Sequence, residues 1–80
     1  MDGAIGEVRR LLASVVGSEI VDSLEDDQLF FNHGVVDSLH LVEIIEGFRS
    51  DLGVAVAGQD LSPENFGSIS GMARFLKSRR

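Results

Sequence analysis

The stretch SLHLVEIIEGFRSDLG, residues 38–53, carries the strongest helical pattern in the chain. Leu41, Ile44, Ile45, Phe48 and Leu52 follow the i, i+3, i+4 rule and define a core face. Leu39 and Val42 are three apart and lie on another side, which Glu43 and Glu46 join at helical spacing. One face is therefore expected to be buried and the other to be mixed, apolar and acidic. Asp37 or Ser38 can cap the start and Gly53 can close the end, so the pattern predicts a helix over residues 38–52. Gly47 inside it costs about 1 kcal/mol against alanine. Close approach of another element would account for that glycine, but the sequence does not name the element.

Outward from this helix the same period recurs twice. Upstream, Ala4, Ile5, Val8, Leu11, Leu12, Val15 and Val16 form a helical stripe, with Asp2 as a cap and Gly17 as a terminator, which predicts a helix over 3–16. Downstream, Ile69, Met72, Ala73, Phe75 and Leu76 predict a helix over 68–78, with basic residues at its negative end. Ser62 and Pro63 suit the start of a short helix over 62–66. Val54-Ala55-Val56-Ala57 is too short for a strand and has no partner.

Residues 18–37 hold Ile20, Val21, Leu24, Leu29, Phe30, Phe31, Val35 and Val36, too many apolar groups to leave in water. A long loop that packs across the helices is expected there, with room for one short helical turn. The fold class is thus all-α. Residues 1–80 make one domain, a small bundle of three long helices and one short helix, with a long loop between the first two long helices. The core should hold Val8, Leu11, Leu12, Val15, Leu41, Ile44, Ile45, Phe48, Phe66, Ile69, Met72 and Phe75.

Composition narrows the function classes. Eighty residues bury a modest core, and a deep catalytic cleft would consume it. That favours a binding or carrier module over a self-sufficient enzyme. There is no cysteine, which excludes disulfides, thiolate nucleophiles and cysteine metal sites. The segment MDGAIGEVRR lacks the apolar core of a signal peptide, and no run is long enough to span a membrane, so a cytoplasmic location is expected. The formal charge of −6 is uneven: residues 19–64 hold eleven acids against Arg49 alone. Such a surface should repel nucleic acid and anionic membrane and attract basic protein surfaces.

The tetrapeptide VDSL occurs twice, at residues 21–24 and 36–39, and only one copy has a context suited to chemistry. Ser23 is followed by Glu25, Asp26 and Asp27, an acid cluster that would repel a phosphate donor, and no amphipathic helix starts there. Ser38 follows Gly34 and opens the best helix. A helix start offers unpaired amides and partial positive charge, which favour an attached anionic group.

Gly34-Val35-Val36-Asp37-Ser38-Leu39, opening a helix near the middle of an acidic chain of this length, resembles the acyl carrier protein family. The run LSPENFGSISGMARFL, residues 61–76, is similar to the end of several free-standing carriers. The resemblance implies a 4′-phosphopantetheine arm on Ser38, whose thiol holds cargo as a thioester. It implies that Asp37 helps the modifying transferase and its metal ion engage the site. It also implies that Leu39, Val42, Glu43 and Glu46 form the recognition surface. The implied partners are a phosphopantetheinyl transferase, a cargo-loading ligase or transferase, and downstream acyl-processing enzymes. No nucleic acid, membrane or resident metal is implied, and the chain should be a monomer without catalytic activity. His40 stands where carriers of primary fatty acid synthesis usually have an acid, so the chain looks more like carriers of specialised pathways, with an acyl or aminoacyl cargo.

Three rival readings remain to weigh. Asp37, Ser38 and His40 fan around a helix axis and do not set histidine between serine and aspartate as a hydrolase needs. His33 and His40, seven apart, fit no common metal site, and EDDQLFFN lacks the ligand alternation of a calcium loop. The stronger rival is an acidic helical adaptor that docks a basic partner through Glu43, Glu46 and the adjacent apolar side chains, with Ser38 a helix cap only.

Overall fold

The computed structural model describes residues 3–30 and 38–79. Among the described residues five helices follow in order: α1 (Gly3–Val16), α2 (Ser18–Ser23), α3 (Ser38–Ser50), α4 (Pro63–Phe66) and α5 (Ile69–Arg79). A 3-10 turn, Gly58–Asp60, lies between α3 and α4. Among the described residues there is no strand, and the fold is all-α.

Helix α1 is the hub, packing against α2, α3 and α5, while α4 packs on α5. Its stripe of Ala4, Val8, Leu11 and Leu12 is buried. These side chains meet Ile44 and Phe48 of α3 and Ile69, Met72, Phe75 and Leu76 of α5 in one apolar cluster. Each fully buried aliphatic or phenyl side chain contributes roughly 1.5–3 kcal/mol. Phe48, Phe66 and Phe75 form a tilted triangle with ring centroids 5.3–6.0 Å apart, which ties α3 to α4 and α5.

The helix ends follow their caps. Ser62 and Ser68 stand just outside their helices as N-caps. The Ser62 hydroxyl oxygen accepts the Asn65 amide (3.3 Å), and the Ser68 hydroxyl oxygen accepts the Gly71 amide (3.0 Å). The two helices therefore begin at Pro63 and Ile69, one residue after the expected starts at 62 and 68. Helix α3 stops at Ser50, two residues short of the predicted end. The expected cap at Asp2 lies outside the described residues.

The core differs from the expected set in a readable way. Val15 and Leu41 are only partly buried, and Ile45 is partly buried outside the cluster. The reason is Gly47. A Cβ there would overlap a methyl of Leu11, so α3 meets α1 along Ile44, Gly47 and Phe48, which leaves Ile45 on the flank. This closeness of α1 is what the glycine in α3 permits. In place of Ile45, the core takes Val21, Leu24, Phe30 and Val54 from segments without helical period, and Leu76 from α5.

The first connection contains a helix of six residues, α2, set off by Gly17 at φ +100°, a backbone angle that side chains resist. Arg9 of α1 holds its far end. The guanidinium donates to the carbonyls of Val21 (2.9 Å) and Leu24 (2.8 Å) and to Asp26 Oδ1 (2.6 and 3.1 Å). From there the Asp26 carbonyl accepts the Ser70 amide (2.8 Å) and Asp27 accepts the Ser70 hydroxyl (2.7 Å), so the loop is laced to the start of α5. The second connection is anchored in a similar way. Asp60, only 6% exposed, accepts the Arg79 guanidinium (2.6 Å) and the Ala57 amide (2.9 Å), and Arg79 lies 5.0 Å over the Phe75 ring.

Candidate functional site

The start of α3 is the place to look for chemistry. Ser38 is the first residue of α3. The first amides of any helix lack intrahelical acceptors and carry partial positive charge, so a phosphodiester attached there is electrostatically favoured. The Ser38 side chain, Asp37, Gly34 and His33 lie outside the described residues.

One turn on, the two faces of α3 diverge. Ile44 and Phe48 are fully buried, whereas Leu39 is 67% exposed and Val42 59%. Glu43 and Glu46 are exposed beside them. Leu39, Val42, Glu43 and Glu46 thus share one open surface that begins within a turn of Ser38. Arg49 donates to Glu46 Oε1 at 2.7 Å. That hydrogen bond, and then the charge of Glu46, raise the guanidinium pKa above its ordinary value. Glu43 has no basic partner among the described residues. His40 is partly buried and lies away from Val42 around the helix.

Ser23, the serine of the other VDSL copy, is built differently. It is the last residue of α2, at the negative end of its helix, and its hydroxyl donates to the Ile20 carbonyl at 2.7 Å. Arg9 occupies the two nearby carbonyls, Val21 and Leu24. At the carbonyl end of a helix the field disfavours an incoming phosphate.

The family model for a phosphopantetheine attachment site matches residues 6–76. The chain belongs to this family, that of the acyl carrier proteins. Members carry 4′-phosphopantetheine covalently on a serine, and the protein is a carrier in that general sense. The chemistry on hand fits the group: a serine opens a long helix, an exposed apolar and acidic surface follows it, and no cysteine competes with the thiol of the arm. Among the described residues no cluster of three histidine or acidic side chains could hold a metal ion, and no helix is long and apolar enough to cross a membrane.

Sequence reasoning missed several residues that shape the carrier. Arg9 was indistinguishable from Arg10 by spacing, because its role depends on where α2 ends. Ser14 and Asp51 line a groove beside the exposed face of α3, and nothing in their own neighbourhoods marks them; Val15, expected in the core, lines it with them. Ile20 and Leu29, expected to pack across the helices, are instead 43% and 50% exposed, and Leu61 is 39% exposed in a connection where hydrophobic periodicity gives no signal.

Proposed function

We propose that Ser38 is the residue that bears the arm and that the protein passes cargo between enzymes without a catalytic step of its own. The observation that carries this reading is the asymmetry of the two VDSL copies: one serine opens α3, the other closes α2 with its hydroxyl engaged. The arm, once attached, supplies a terminal thiol that holds an acyl or aminoacyl group as a thioester. The chain's own residues do the rest. The α3 amides favour the phosphate, and Asp37 engages the transferase and its metal ion. Leu39 and Val42 give apolar contact, while Glu43 and Glu46 select basic partner surfaces. The partners are the modifying transferase, a loading enzyme and acyl-processing enzymes, met by a cytoplasmic monomer.

Co-expression with a broad phosphopantetheinyl transferase tests this by intact mass. One phosphopantetheine should add to the wild-type chain and none to Ser38→Ala. An unmodified wild-type chain, under conditions where a control carrier is modified, would return the adaptor reading. Reversal of Glu43 and Glu46 together should slow transfer, and added salt should slow the wild type likewise. An unchanged rate with intact fold would remove α3 from the docking surface.

A further inference from the structure

Apolar burial fixes the chain between α3 and α5 at two points, Val54 and Phe66. Of residues 55–65 between them, Asp60 alone is buried, and its side chain is a carboxylate. Val56 rests against the core only partly buried, and Leu61 is exposed.

The hydrogen bonds around the 3-10 turn are local. The Asp60 amide donates to the Ala57 carbonyl (2.9 Å), the Leu61 amide to the Gly58 carbonyl (3.1 Å) and the Ser62 amide to the Asp60 carbonyl (3.0 Å). The Ala57 amide donates to Asp60 Oδ2 (2.9 Å), and the Asn65 side-chain amide donates to the Asp60 carbonyl (2.9 Å). These bonds shape the segment without fastening it to a long helix. Arg79 fastens it, donating from the last turn of α5 to Asp60 Oδ1 at 2.6 Å.

The two partners differ in burial. The Arg79 side chain is 46% exposed and that of Asp60 6%. When the pair parts, the guanidinium is rehydrated where it stands. The carboxylate would stay buried without a cation, at high cost. The segment must then lift until Asp60 meets water. Lifting forfeits the ion pair, the bond to Asn65 and little apolar burial, far less than unfolding the core.

We infer that Asp60 and Arg79 form a latch. Residues 55–62 are a strap that opens by itself while α1, α3 and α5 stay folded, and Arg79 sets how often it does so. Arg79 is a positioning residue that acts through Asp60. The latch is independent of the carrier reading, because it involves neither Ser38 nor the arm.

Amide hydrogen exchange of the full chain, followed residue by residue by NMR, tests this. In the wild type the Asp60, Leu61 and Ser62 amides should exchange faster than those of Leu12 and Ile44. Dilute urea should speed Leu12 and Ile44 and leave the strap nearly unmoved, since a local opening exposes little surface. Arg79→Ala should speed the strap amides about tenfold. Asp60→Asn in that background should recover most of the loss, because an uncharged amide can stay buried where a carboxylate without a cation cannot. Arg74→Ala, on the exposed surface of α5, should leave the strap rates within about twofold of wild type.

Strap amides that rise with urea in step with Leu12 and Ile44 would mean that the connection opens only with the whole bundle. Unchanged strap rates in Arg79→Ala would assign the hold to Val54 and Phe66. Failure of Asp60→Asn to rescue would leave Arg79 a packing residue, lying 5.0 Å over the Phe75 ring. Each of these overturns the latch, and none bears on whether Ser38 takes the arm.

Discussion

The chain spells VDSL twice and builds opposite ends of a helix from it. At residues 21–24 the tetrapeptide closes α2, whose carbonyl end is taken by Arg9 and whose serine bonds back to Ile20. At residues 36–39 it leads into α3, whose amide end begins at Ser38. A peptide dipole points one way along a helix, so the same four residues sit in opposite fields at its two ends. A short motif therefore carries no chemistry until its place in an element is known.

The largest effect that could break this contrast is all-or-none. Ser38→Ala should abolish addition of the arm while Ser23→Ala leaves it complete, as read by intact mass. Arm found on Ser23 would sink the argument from helix polarity. The next effect concerns the anchor of the first copy. Arg9→Ala strips four hydrogen bonds from a partly buried guanidinium and should cost about 2–3 kcal/mol in urea unfolding. Arg9→Lys should recover only part of this, since an ammonium cannot span the same carbonyls and carboxylate as a planar fork. If Arg9→Ala unfolds at the wild-type urea midpoint, the end of α2 is held by something else.

A smaller effect sharpens the second copy's side. Gly47→Leu pushes a side chain into Leu11 and should cost roughly 1–3 kcal/mol, with loss of the close α1–α3 contact. An unchanged melting temperature would mean the two helices do not meet there. Smallest of all, Glu46→Gln breaks an exposed pair with Arg49, and no measurable change in melting temperature is expected. A clear loss of stability would show that Glu46 is structural rather than free for partners.

Much of the fold could be read from the chain because its long helices are strongly periodic. Where period and cap agreed, as at Ser62 and Ser68, even the short helix was legible. Helix α2 was not. Six residues give too little period to read, Gly17 offers no capping side chain, and the helix leans on an arginine from α1. Ile45 is only partly buried, whereas Gly47, two residues on, lies against Leu11 of α1. Of the site, the exposed face of α3 was readable from four residues at helical spacing. The groove beside it was not, because Ser14 and Asp51 line it only once α1 lies alongside α3.

The amino-acid sequence alone determined the helical class, the acidic surface and the family, since periodicity, charge and a motif in its setting are all local properties along the chain. Only the tertiary structure decided which polar ends are tied down and which helix lends a wall to the exposed face. Those depend on contacts between residues far apart in sequence, such as Arg9 with Asp26 and Leu11 with Gly47, that no local pattern encodes.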